Sequence, residues 1–158
     1  MATNVFISYD HDDQAQVQGF KLLKINPNHP LEFHDHSLKE PVTDWTGHPI
    51  KLPPSDPRSK PIRDEIIAKF NRSSKLVVLI GMNTHLSEWV EWEVNIFHQM
   101  KIKISGEKTW RRIRGMYLKG CDSARMPSSL MNGKSTKQMT WDPIELDKWL
   151  DLDPDASE

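Results

Sequence analysis

The chain has 158 residues, 37% hydrophobic and 27% charged, with a formal net charge of −1. That length suits one domain around one core, and the near balance of charge supplies no basic field to gather nucleic acid. Cys121 is the only cysteine, which excludes an internal disulfide, and the longest apolar run, Leu76 to Met82, falls far short of the roughly 20 residues that span a bilayer.

Met1 to Ser8 has neither a basic segment nor a long apolar stretch, so no secretory leader is read. With the lone cysteine, this makes a cytoplasmic protein the expectation. Val5-Phe6-Ile7-Ser8 reads as a buried strand. Asp10, Asp12 and Asp13 follow, and carboxylates favour the first turn of a helix. Val17, Phe20 and Leu23 or Lys24 then repeat at helical spacing. Asn26-Pro27-Asn28-His29-Pro30 stops that helix, and Leu31 to His34 reads as a second, weaker strand.

Between residues 36 and 60 stand Pro41, Pro49, Pro53, Pro54 and Pro57, a density that excludes a long helix or a central strand. A loop this long in a compact domain is usually functional or mobile. Ser59 reads as an N-cap and Pro61 as an early position of a helix with Ile62, Ile66 and Phe70 on one face. Lys75 to Ile80 is the strongest strand signal, and its unbroken apolar character fits a strand covered on both faces. Gly81 to Thr84 ends it, and Ser87 can cap the helix that follows. Beyond Lys103 the pattern gives a fourth strand over Ile113 to Leu118 and a fifth over Gln138 to Trp141, then a short helix through Leu146, Trp149 and Leu150. One domain over 1–150 and a frayed acidic tail over 151–158 are expected.

Strands alternating with helices predict an α/β sandwich with a mostly parallel sheet of five strands and right-handed crossovers. Ligands in such sheets sit beyond the carboxyl ends of the strands, where strand order reverses. In the order 2-1-3-4-5 the first and third strands flank that point. The segments at the strand ends are Ser8-Tyr9-Asp10, His34-Asp35-His36-Ser37 and Gly81-Met82-Asn83-Thr84.

The helix after Ser87 carries an anomaly. A helix advances about 100° per residue, which puts Trp89, Ile96, Phe97 and Met100 in one apolar stripe. Glu93 falls inside the stripe, while Glu88 and Glu91 point toward water. A charge facing a core needs a partner, a shifted pKa or a chemical role.

Four segments together carry a resemblance. Val5-Phe6-Ile7-Ser8-Tyr9 resembles the first strand of TIR domains. Phe33 to Leu38 and Val77 to Thr84 resemble the second strand with its loop and the third strand with its exit in the TIR-like subgroup of ThsB proteins, a component of Thoeris antiphage defence. Ser87-Glu88-Trp89-Val90-Glu91-Trp92-Glu93-Val94 is similar to the TIR serine–tryptophan–glutamate motif. The likeness covers about residues 4 to 100, and Val90 stands where other TIR domains commonly have cysteine.

The resemblance implies a flavodoxin-like fold and cleavage of the bond between nicotinamide and ribose in NAD, with NAD as substrate and no cofactor required. It implies a cyclic ADP-ribose-type signal that activates a ThsA-type effector, a phage-derived trigger, and self-association as in other TIR domains. By motif position Glu93 would be catalytic, with Ser87 and Trp89 beside it. Ser8, Tyr9 and Asp10 would line the pocket floor or rim, Asn83 the third-strand exit, and Asp35, His36 and Ser37 the start of the loop above. A carboxylate near the ribose would stabilise the oxocarbenium-like charge that develops there, and the cationic leaving group needs no strong acid. No glycine-rich dinucleotide fingerprint occurs, so NAD would be no bound redox cofactor.

Plainer readings stand beside these. Glu93 can be a structural carboxylate, and Trp89 and Trp92 packing residues. His34 and His36 could share a strand face, but no third metal ligand follows at a clear spacing. Asp10, Asp12 and Asp13 lack the glycine and distal glutamate of a calcium loop. Lys101, Lys103, Lys108, Arg111, Arg112 and Arg114 read as a solvated basic face, and Cys121 as a buried, inert thiol. Two other functions remain: a TIR-type interaction adaptor without catalysis, and a nucleoside deoxyribosyltransferase-like enzyme with a glutamate at a sugar carbon.

Overall fold

A computed structural model of the protein describes residues 4–23, 29–33, 45–46, 52–131, 134–136 and 138–152. Four strands are formed among them: β1 (Asn4–Tyr9), β2 (Leu31–Phe33), β3 (Ser73–Ile80) and β4 (Ile113–Tyr117). They pair in parallel in the order β2-β1-β3-β4, with Val5 opposite Leu31, Ile7 opposite Val77 and Leu79 opposite Met116. Helices α1 (Gln14–Leu22), α2 (Lys60–Arg72), α3 (Glu88–Ser105) and α4 (Pro143–Asp151) alternate with the strands. The fold is α/β and consistent with the flavodoxin-like arrangement of TIR domains.

The expected fifth strand is reduced to one bridge between Met116 and Met139. Met139 donates its N–H to the Gly115 carbonyl at 3.0 Å and accepts from Tyr117 N–H at 2.9 Å. The ladder stops because the chain must turn into α4 three residues later. There Asp142 takes the N-cap and accepts from Glu145 N–H at 3.1 Å. The α4 residues Leu146, Trp149 and Leu150 are buried as the sequence predicts.

The pleat of β1 sorts its side chains. Phe6 meets Phe70 of α2 edge-on at 4.7 Å between ring centres, and Phe70 meets Phe97 of α3 at 5.4 Å. Ser8, two positions beyond Phe6, points to the same α2–α3 face. Leu76 to Ile80 are wholly buried, as a strand covered on both sides requires. In α1, Val17 and Phe20 are buried but Leu23 is half exposed, because the helix ends at Leu22.

Four local expectations need correction. Ser59 stands at the N-cap of α2, but its hydroxyl donates to the Pro53 carbonyl at 2.8 Å. The capping carboxylate is Asp56, which accepts from Arg58 N–H at 2.9 Å and opens the 3₁₀ turn Pro57–Ser59. The Arg58 side chain, hydrogen-bonded to Asp56, holds that carboxyl down at about 2.

The buried stripe of α3 is Val90, Glu93, Val94, Phe97 and Lys101, turned by about one position from the expected one. Trp89, Ile96 and Met100 flank it, half buried. The slimmer valines fit against the sheet, while the Trp89 indole N–H needs a polar partner and finds one at the margin. Glu91 does not face water as expected: its Oε1 accepts from Ser128 Oγ at 2.5 Å and from Ser129 N–H at 3.3 Å.

The expected basic face is partly a set of buried cations. Lys101 Nζ donates to the Phe70 carbonyl at 2.7 Å, near the end of α2. Burial, then the nearby Arg112, pushes its pKa down. Arg112 donates to Ser105 Oγ at 2.5 Å and to the Ser74 carbonyl at 3.0 Å. Lys75 of β3 donates to the carbonyls of Trp149, Leu150 (3.3 Å) and Leu152 (2.6 Å), so a strand lysine closes the negative end of α4.

Candidate functional site

The strand order places the reversal of connection between β1 and β3. At that point β1 delivers Ser8 to the α3 face. Ser87 sets where α3 begins: its hydroxyl accepts from Val90 N–H at 3.2 Å. Capping there fixes the helical phase, and the phase turns Glu93 inward. Glu93 and Ser8 are both fully buried, and Ser8 Oγ donates to Glu93 Oε1 at 3.2 Å. The sheet floor and the motif helix therefore meet at a hydroxyl and a carboxylate.

The other sequence candidates are placed as follows. Tyr9 is buried in the core, and half-buried Asp10 leads the 3₁₀ turn His11–Asp13. Asn83 is exposed at the β3 exit, and its carbonyl accepts from Leu86 N–H at 2.9 Å. Trp89 is half buried; its Nε1 donates to the Leu52 carbonyl at 2.9 Å, and its ring meets Trp92 edge-on at 5.7 Å. The described contacts of Ser87 and Trp89 are thus with the protein's own backbone and rings. Asp35, His36 and Ser37 lie outside the described residues, as does His34.

A second polar link at the same sheet end escaped the sequence reading. Gly81 N–H donates to Thr84 Oγ1 at 2.8 Å, and Thr84 Oγ1 donates to Asp13 Oδ2 at 3.3 Å. Partial burial, then neighbouring Asp10, raises the Asp13 pKa, against the lowering effect of the Thr84 hydrogen bond. A β-carbon at Gly81 would lie 2.2 Å from Asp13 Oδ2, so only glycine lets the carboxylate approach this closely. The signal available in sequence was a glycine ending the apolar run with threonine three positions on.

An open groove of about 530 Å³ runs beside the start of α3, lined by Pro54, Ser55, Arg63, Glu88 and Trp92. Glu93 does not line it. A smaller depression of about 300 Å³ lies around Gly19, Phe20 and Trp141, away from the motif helix. No group of three His, Cys, Asp or Glu residues arranged to hold a metal ion occurs among the described residues. Nor does any helix among them reach the length and apolar character needed to cross a membrane.

Residues 6–112, more than half of the chain, match the family described as Thoeris protein ThsB, TIR-like domain. The match takes in β1 from Phe6 onward with Ser8, the Asp13–Thr84 link and the whole of α3 with Glu93. Among curated proteins none matches. With the parallel α/β sheet and the motif helix both in place, the chain belongs to the ThsB-type TIR-like domain family.

Proposed function

We propose that this protein processes NAD in Thoeris-type antiphage defence, cleaving the bond between nicotinamide and ribose with Glu93 as the reacting carboxylate. The observation that carries the reading is a fully buried carboxylate on the apolar face of α3, bonded to Ser8 beside the strand-order reversal. In the proposed step the ribose C1′–nitrogen bond breaks and its electron pair goes to the nicotinamide nitrogen, neutralising that ring. Glu93 stabilises the cationic sugar left behind. Attack by water gives linear ADP-ribose and a proton; attack by a nucleophile within the same molecule gives a cyclic isomer. The cyclic product fits a diffusible signal to a ThsA-type effector, and the reaction belongs in the cytoplasm.

With Glu93 fully buried, this arrangement is a resting one, and turnover requires the site to open. A sensor that stays silent until a phage-derived trigger arrives would be built this way. The rival reading is an adaptor with a structural Glu93, favoured by the use of Ser87 and Trp89 in the protein's own contacts.

The test is NAD turnover by the wild type and Glu93→Gln, with and without lysate from phage-infected cells. Gln preserves shape and an acceptor for Ser8. A loss of about 100-fold or more is expected for a group that stabilises charge in the transition state. Equal turnover by both proteins removes Glu93 from the chemistry. No NAD turnover under any condition, with self-association intact, favours the adaptor. Cleavage of deoxynucleosides in place of NAD, read by mass spectrometry, favours the deoxyribosyltransferase-like enzyme.

A further inference from the structure

We infer that Trp89 and Arg63 form a two-point clasp that holds residues 52–56 against the start of α3 and keeps Glu93 shut from solvent. Its meaning for catalysis rests on the role proposed for Glu93; the closure itself does not.

The stretch contains Pro53 and Pro54, which have no N–H to give, so its carbonyls are the main handles by which the fold can grip it. Side chains supply the donors. Trp89 Nε1 takes the Leu52 carbonyl at 2.9 Å. Arg63 Nη1 takes the Pro54 carbonyl and, at 2.9 Å, the Asp56 carbonyl. Ser59 Oγ takes the Pro53 carbonyl at 2.8 Å. Trp89 grips from α3 and Arg63 from α2, with Ser59 of the 3₁₀ turn holding Pro53 between them.

Helical side chains lean toward the N-terminus of their helix, so Glu93 lies over the turn that begins with Trp89. Ser8 meets it from the sheet. Trp89, one turn before Glu93 on the same helix, is in turn tied to Leu52. The open groove beside the start of α3 is lined by residues of the segment, Pro54 and Ser55, and by Arg63, Glu88 and Trp92. Side-chain hydrogen bonds to its carbonyls hold the segment, and Pro54 within it is buried. A closure of this kind yields to the loss of one or two donors while the core stays folded.

The test places a reporter at the carboxylate. Glu93→Cys introduces a thiol whose maleimide labelling rate reads solvent access, and buried Cys121 in the same chain is the control for general unfolding. The rate is compared with the clasp intact, with Trp89→Phe and with Arg63→Met. Each substitution should speed labelling at position 93 by about fivefold to tenfold, the effect of one hydrogen bond on a local opening equilibrium, with Cys121 unchanged. Rates within about twofold of the parent in either variant would overturn the two-point clasp. So would a rise shared by Cys121. NAD turnover by Trp89→Phe and Arg63→Met, each retaining Glu93, is scored separately. Faster labelling without any NAD cleavage keeps the clasp and discards the catalytic reading; unchanged labelling with Glu93-dependent cleavage does the reverse.

Discussion

Ser8 Oγ donates to Glu93 Oε1 at 3.2 Å, across 85 positions of sequence, with both residues fully buried. The bond joins the end of β1 to the second turn of α3. Its loss would leave a buried carboxylate oxygen short of a donor, and Ser8→Ala is expected to cost about 1–3 kcal/mol. Urea unfolding measures this; an unchanged midpoint at unchanged slope would show that the bond adds nothing.

Gly81 and Asp13 compete for one volume. Gly81→Ala would force the Asp13 carboxylate away from a β-carbon 2.2 Å from Oδ2. A loss of about 1–3 kcal/mol is expected, as for other overpacked sites. In Gly81→Ala/Asp13→Ala most of the Gly81 penalty should disappear, and the coupling from the double-mutant cycle measures it. Simple additivity would mean that the alanine is refused by something else.

Asp13 also carries a pH signature. Partial burial and Asp10 raise its pKa in the folded chain above the ordinary 3.8, so the charged form disfavours folding. That cost is full above the raised pKa and fades as pH falls through it toward 3.8. Asp13→Asn retains an acceptor for Thr84 and removes the charge. It should be more stable than the wild type near neutrality, and the gap should close with acidification. Melting temperatures of both proteins across that range test it, and a gap that widens at low pH refutes the sign.

Lys75 ties the C-terminal helix to the strongest strand. Lys75→Met fills similar space but gives nothing to the carbonyls of Trp149, Leu150 and Leu152. A loss of about 1–3 kcal/mol is expected, with faster amide exchange confined first to α4. Exchange that rises evenly through the sheet would mean that Lys75 serves the core and not α4.

Much of the sheet was legible because its signal is local. Val5 to Ser8 and Lys75 to Ile80 are short, mostly apolar runs, and each lies in a strand; the weaker signal over Ile113 to Leu118 covers β4. Glu93 was legible because a helical wheel needs only neighbours in sequence. The partners of buried polar groups were not. Lys75 reads only as the start of a strand until the α4 carbonyls, 74 and more positions away, close on it. Trp89 reads as a pocket or packing residue until Leu52, 37 positions earlier, supplies a carbonyl. The one-position turn of the α3 stripe followed from the same limit: periodicity finds a face, but the shapes opposite decide its centre.

The single bridge at Met139 has a consequence for how this sheet can grow. Polypeptide that sought to add a strand beside β4 would meet main-chain groups of Gly115 and Tyr117 already engaged by Met139, and an Ile113 carbonyl taken by Thr136. On the opposite margin, β2 offers a template only three residues long. Neither border of the described sheet presents the long, vacant ladder from which runaway edge-to-edge stacking begins.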